Sequence, residues 1–198
     1  MLILFLLATL VIPRRVLFIK YGETMMKLIG AVFLFACLAG CTAIPENIKP
    51  VNNFELAKYM GQWYEIARLD HRFERGLEQV SATYSIDDNG MVKVANRGWS
   101  VADKEWSDAV GKARFAADTD IGHLEVSFFA FFFGDYIIFE LDQADYQYAW
   151  VTGGENTLWF LSRTPTVSDN LKQNFINTIT DYGYNADELI FVNQSLNQ

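Results

Sequence analysis

Beyond residue 60 the chain alternates apolar and polar residues with a period of two, in short runs broken by turn residues. Val80, Ala82, Tyr84 and Ile86 alternate with Ser81, Thr83 and Ser85. Period two sends successive side chains to opposite faces, so such a run is a half-buried strand rather than a helix. The run ends in Asp87-Asp88-Asn89-Gly90. Asn-Gly is a strong hairpin signal because both turn residues tolerate positive φ. Residues 91–97 are then the return strand. Residues 63–69, 105–116, 121–128, 135–142, 146–152 and 157–163 bring the count to eight, with a turn at 153–156 between the last two. Eight short strands joined mostly by short turns predict an all-β chain, an eight-stranded up-and-down antiparallel barrel that removes exposed edges by closing on itself. A two-sheet sandwich is the alternative on pattern alone.

After Arg163-Thr164-Pro165 the period changes. Ser168 or Asp169 can cap a helix. Leu171, Phe175, Ile176 and Ile179 then fall on one helical face, and Gly183 ends it. Residues 188–192 read as a short final strand. One C-terminal α-helix flanking the outside of the barrel is the simplest account.

The first 40 residues read as a signal region. Met26-Lys27 opens a short apolar run that reaches Cys37, followed by Leu38-Ala39-Gly40-Cys41. A charged start, an apolar core and small residues before a cleavage point are the marks of an export signal, and the run is too short to span a bilayer comfortably. The tetrapeptide matches the bacterial lipoprotein signal, in which Cys41 is lipidated and becomes the new N-terminus. Multiple acyl chains make such an anchor effectively permanent. Thr42, where an Asp would retain the protein at the inner membrane, favours the outer membrane, with the domain facing the periplasm. Residues 41–53 read as the lipidated N-terminus and a tether, kept irregular by Pro45 and Pro50. The barrel and helix occupy 54–198. Residues 1–25 carry a second apolar run before Arg14-Arg15, which places the true start at Met25 or Met26.

Composition removes several classes of function. The only cysteines are Cys37 and Cys41, so the domain has no disulfide, thiol nucleophile or Cys-based metal site. His71 and His123 are the only histidines. Without cysteine they give no zinc signature, and no Gly-x-Ser-x-Gly elbow is present. No catalytic residue, metal or cofactor is expected. After Cys41 there are 12 Lys/Arg against 23 Asp/Glu, a net −11. That balance argues against nucleic acid, and it leaves membrane attachment to the acyl anchor.

In an up-and-down barrel, chain direction fixes which loops share an end. If the first strand starts at the bottom, then Trp63, the Asp145-Tyr146 corner and Arg163 all converge there. A guanidinium over an indole is favourable by roughly 0.5–2 kcal/mol and would plug that end. Gly61-x-Trp63, Asp145-Tyr146 and Arg163 in Leu161-Ser162-Arg163-Thr164-Pro165 resemble the three short motifs of the lipocalins. Trp63-Tyr64-Glu65-Ile66-Ala67-Arg68, the segment from Asp70 to Glu78, and Ser127-Phe128-Phe129 are similar to the bacterial outer-membrane lipoprotein lipocalins, relatives of apolipoprotein D. The resemblance covers nearly everything from Val51 onward. It implies a barrel that binds fatty acids or lysophospholipids. Phe131-Phe132-Phe133 departs from the family's usual Gly-Pro-containing loop.

Candidate ligand contacts follow from parity. Trp159 and Leu161 share a face with Arg163, and Glu65 and Ala67 share one with Trp63. Tyr148 and Phe139 are added, although a single bulge would reverse their direction. At the opposite end, His71 and Arg72 on the first loop and Phe131 and Phe133 on another form a charged rim over apolar walls, which suits an amphiphile. The alternatives are a structural or interaction envelope lipoprotein, or a binder of another small hydrophobic ligand. The chain is expected as a monomer or homodimer.

Overall fold

The computed structural model describes residue 45 and residues 47–129, 132–154 and 156–197. Cys41, the signal region and Phe131 lie outside the described residues. A four-residue helix, α1 (Leu56–Tyr59), precedes eight strands: β1 (Gly61–Leu69), β2 (Leu77–Ile86), β3 (Val92–Ser100), β4 (Glu105–Phe115), β5 (His123–Phe129), β6 (Phe132–Leu141), β7 (Tyr148–Gly154) and β8 (Thr157–Ser162). Helix α2 (Asp169–Asp181) and a short strand β9 (Leu189–Phe191) follow. Each strand pairs antiparallel with the next, and β1 pairs with both β2 and β8, so the barrel closes.

Closure depends on a change of partner along β1. Gly61 to Tyr64 pair with β2, whereas Ala67 to Leu69 pair with β9. A bulge separates the two halves: the register on β8 shifts between Glu65 and Ala67. The extra residue turns both Ile66 and Ala67 toward α2 and returns Arg68 to the interior. Similar shifts occur in β5 between Val126 and Phe129 and in β6 between Ile138 and Glu140.

Two cores result. The interior one gathers Trp63, Tyr84, Val94, Leu124, Ile138 and Leu161, among others. The second lies between the outer wall and α2, where the Phe175 ring centroid stands 4.9 Å from that of Phe160 and 5.2 Å from that of Trp150. Alternation explains this division: β7 sends Ala149 and Val151 inward and Trp150 outward to meet the helix. Ser168 caps α2 by accepting from the Leu171 amide at 3.3 Å, and Gly183 leaves it at φ +91°.

The closed end is built as the chain direction predicts. The Arg163 guanidinium carbon stands 3.8 Å from the centroid of the Trp63 ring. Its nitrogens donate to the carbonyls of Lys58 at 2.7 Å, Gln62 at 2.9 Å and Tyr146 at 3.2 Å. One side chain thus ties α1, β1 and the β6–β7 turn together. Trp63 is fully buried and donates its indole N–H to the Tyr59 carbonyl at 2.8 Å. Gly61 sits at φ +97°, and a Cβ there would lie 3.4 Å from the guanidinium. Asp145 is exposed and works through its backbone, while Asp142 organises the turn by accepting from the Gln147 amide.

The sequence reading of 41–53 as tether needs correction at its C-terminal end. Ile48 is buried, Val51 bonds to the Ile138 carbonyl, and Asn52 bridges Ile121. Val51 and Asn52 are therefore part of the barrel wall, in the lower gap between β5 and β6, and Ile48 packs into the cluster beneath α2.

Candidate ligand-binding site

The inner wall is apolar but not fully packed. Ala82, Phe115, Val126, Phe128, Tyr136 and Trp159 all belong to the interior cluster, yet each remains only partly buried. Inner-face residues of a barrel closed below can keep exposure only if the lumen between them is open. The opening extends down one side. β4 pairs with β5 only from Lys112 to Phe115, and its upper residues, including Ser107 and Ala109 on the inner face, are exposed. By contrast, the surface cleft of about 550 Å³ near Leu69, Asn156 and Tyr184 lies outside the barrel and has polar walls as much as apolar ones.

Charge enters the interior at the mouth. Glu65 and Arg68 are 3% and 2% exposed, well below what unpaired charges tolerate. Arg68 donates to Glu65 Oε1 at 2.7 Å and to the backbone carbonyls of Glu74 and Leu77 at 2.8 and 3.0 Å. It therefore straps the β1–β2 loop onto the top of the barrel. Glu74 turns back inside, where its Oε2 accepts from the Trp159 indole at 3.1 Å and lies 2.9 Å from His71 Nε2. Burial, reinforced by the neighbouring Glu74, pushes the Glu65 carboxyl well above the usual range despite Arg68. Burial also pushes Glu74 up, but contacts with His71, Trp159 and Glu65 outweigh it and leave Glu74 below that range. The site thus drives the two carboxyls in opposite directions, Glu65 upward and Glu74 downward.

The rim above is aromatic. Phe73 and Phe129 stand 6.0 Å apart, and Phe73, Phe129 and Phe132 are 59%, 62% and 82% exposed. Arg72 lies outside on Phe73, 4.6 Å from its centroid, and His71 meets Trp159 edge-on at 5.3 Å.

The sequence candidates divide accordingly. Trp159, Leu161 and Glu65 face the interior, His71 reaches it beside Trp159, and Arg72 stays on the rim. Ala67, Phe139 and Tyr148 do not face the lumen; all three belong to the cluster beneath α2. The bulge after Glu65 displaces Ala67, and the strand alternation that turns Ile138 and Ala149 inward turns Phe139 and Tyr148 outward. Phe133 is also an outside residue, 4.2 Å beneath the Arg114 guanidinium. Parity reasoning missed Arg68, which the same bulge delivers to the interior, and Glu74. The signal available for Arg68 was the Glu65-x-x-Arg68 spacing inside a strand, where alternation alone would place the arginine outside; Glu74, on the loop, offered none. Tyr59, Tyr84 and Tyr136 were missed as a group because each lies in a different segment. Among the described residues, no cluster of three His, Cys, Asp or Glu is placed to hold a metal ion.

An antiparallel eight-stranded barrel, plugged by Arg163 on Trp63, open at the other end and flanked by one helix, defines a lipocalin. The chain belongs to that family: residues 54–194 match the lipocalin-like domain. It is 48% identical over 168 residues to the outer membrane lipoprotein Blc of Vibrio cholerae, covering 83% of this chain and 98% of the relative. It is 44% identical over 165 residues to the protein of that name from Escherichia coli K12, covering 83% and 92%. Apolipoprotein D of Macaca fascicularis shares 37% over 94 residues, 48% of this chain and 47% of that protein. Among solved structures, insecticyanin from the tobacco hornworm superposes with a TM-score of 0.61 at 22% identity, over 76% of this chain and 86% of that one. At that identity the likeness speaks for the fold alone.

Proposed function

We propose that this protein is an outer membrane lipoprotein, anchored through Cys41 and facing the periplasm, that binds fatty acids or lysophospholipids without chemically altering them. The observation that carries the reading is the partly exposed inner wall: apolar residues from five strands surround an open lumen beneath a charged rim. An acyl chain fits the wall, and a head group fits the Glu74–His71–Trp159 corner at the mouth. The relatives named as outer membrane lipoproteins support the location, and the leader ending in Cys41 agrees with it. The net negative surface supports attachment by acyl chains over attachment by charge.

Titrating the whole protein, carrying Cys41→Ser so that no acyl chain of its own competes, with palmitate and with a lysophospholipid tests the reading. Saturable binding in the submicromolar to micromolar range is expected, with quenching of a tryptophan signal that Trp159→Phe removes. Absence of uptake for both probes would end the proposal. Turnover of a bound lipid, lost on His71→Ala, would contradict its non-catalytic part.

A further inference from the structure

The lower lumen is not uniformly apolar. The Tyr136 hydroxyl lies 2.7 Å from that of Tyr59 and 2.8 Å from that of Tyr84. Tyr136 projects inward from β6, Tyr84 from β2, and Tyr59 rises from α1 at the closed end, so the three hydroxyls meet above the floor. Three hydroxyls carry three protons, and two hydrogen bonds use only two of them. The third needs an acceptor from outside the group. Burial raises all three hydroxyls above their ordinary titration range, so each keeps its proton and remains a donor.

Exposure indicates where the spare proton goes. Tyr59 and Tyr84 are 2% and 6% exposed, wedged among Phe54, Trp63 and each other, whereas Tyr136 is only partly buried and faces the lumen. A phenol oxygen accepts two hydrogen bonds. With Tyr59 and Tyr84 both donating to Tyr136, the proton left over is that of Tyr136, the only one of the three residues that stays partly exposed. The Arg163 guanidinium beneath Trp63 adds positive potential from below, which favours an acceptor there. Higher on the wall, in the register row of Ala82, the buried Asn96 Oδ1 has no hydrogen-bond partner. The methyl end of a simple acyl chain would meet neither need.

We propose that the floor of the barrel is a second polar subsite, in which the Tyr136 hydroxyl donates to an oxygen on the inner end of the ligand. The ligands favoured are therefore amphiphiles oxygenated at the end remote from the head group, an ω-hydroxy fatty acid being the simplest. This rests on the lipid-binding reading above and adds a selectivity that reading does not require.

The test compares palmitic acid with ω-hydroxypalmitic acid on the whole protein carrying Cys41→Ser, by displacement of a fluorescent fatty acid. One extra hydrogen bond predicts that the hydroxylated probe binds roughly three- to tenfold more tightly. Tyr136→Phe should erase that difference by weakening the hydroxylated probe in preference to palmitate. Tyr84→Phe keeps the lumen-facing hydroxyl and should keep the preference, while melting temperatures confirm that both variants fold. Equal affinity of the parent protein for the two probes overturns the subsite while leaving lipid binding intact. A preference that survives Tyr136→Phe, or that both variants abolish alike, overturns it as well. So does an equal loss for both probes in Tyr136→Phe, because the carboxylate would then be the group at the floor. If palmitate itself fails to bind, the lipid-binding reading falls and the subsite with it.

Discussion

Replacing Arg163 with lysine keeps the charge at the closed end and removes the geometry. The guanidinium donates to three carbonyls, those of Lys58, Gln62 and Tyr146, while its plane covers Trp63 at 3.8 Å. A lysine ammonium is a point donor on a flexible stem and cannot span three separate backbone segments while lying flat on an indole. Hydrogen bonds from charged groups contribute roughly 1.5–3 kcal/mol each when buried. Arg163 is only partly buried, which brings each toward ~1 kcal/mol, and the cation–π contact adds about 1 kcal/mol. Losing two of the three bonds and most of the stacking puts Arg163→Lys at about 2–3 kcal/mol of destabilisation. Arg163→Ala, which loses everything, should cost about 3–5 kcal/mol. Urea unfolding followed by tryptophan fluorescence would show this as a lowered midpoint with an unchanged slope. Affinity for palmitate, measured under native conditions, should stay within about twofold, because the plug lies below the lumen. If lysine is tolerated within about 0.5 kcal/mol, charge alone is enough and the three-carbonyl clasp is not what closes the barrel.

Four further outcomes follow from the same geometry. Gly61→Ala should destabilise by about 1–2 kcal/mol in urea unfolding, because a side chain is strained at φ +97°, whereas its Cβ would only touch the Arg163 guanidinium at 3.4 Å. Phe175→Ala should cost about 3–5 kcal/mol while leaving lipid affinity unchanged, since the ring is fully buried against Trp150 and Phe160 outside the barrel. Val126→Trp should fill the lumen and abolish palmitate uptake without lowering the melting temperature appreciably, because Val126 lies on the inner wall and is only partly buried there. The folded state raises the Glu65 pKa, so Glu65 contributes stability that is complete below its unfolded value near 4.5 and is lost as pH rises through the raised value. Glu65→Gln, which mimics the protonated form, should flatten the melting temperature across that rise; parallel profiles for the two proteins would show that Glu65 is ionised in the fold.

The barrel was legible in the sequence because burial on one face writes period two into every strand, and Asn89-Gly90 fixes a hairpin. The closed end was legible too, since chain direction alone brings Trp63, Tyr146 and Arg163 to one side. The inner wall was only partly legible. On β8, where alternation is regular, Trp159 and Leu161 lie where parity puts them. On β1 an extra residue after Glu65 inverts the sequence reading, turning Ala67 out and Arg68 in. A bulge leaves no compositional mark, and a buried arginine looks like a surface residue until Glu65 and two loop carbonyls are seen around it. The tyrosine group was hidden for a different reason: its members are separated by long stretches of chain, and only closure of the barrel brings their hydroxyls together. Along 41–53 Pro45 and Pro50 suggested a tether, but an irregular segment can still supply hydrogen bonds to a gap in a wall, as Val51 does.

The central claim is that the lumen above the plug holds an acyl chain. A titration of the whole protein carrying Cys41→Ser with palmitate, run beside the Val126→Trp protein and read by native mass spectrometry, tests it most directly. The account predicts one palmitate per chain for the parent and none for the filled barrel, with both proteins equally folded. Equal loading of the two would place the lipid outside the barrel and contradict the account.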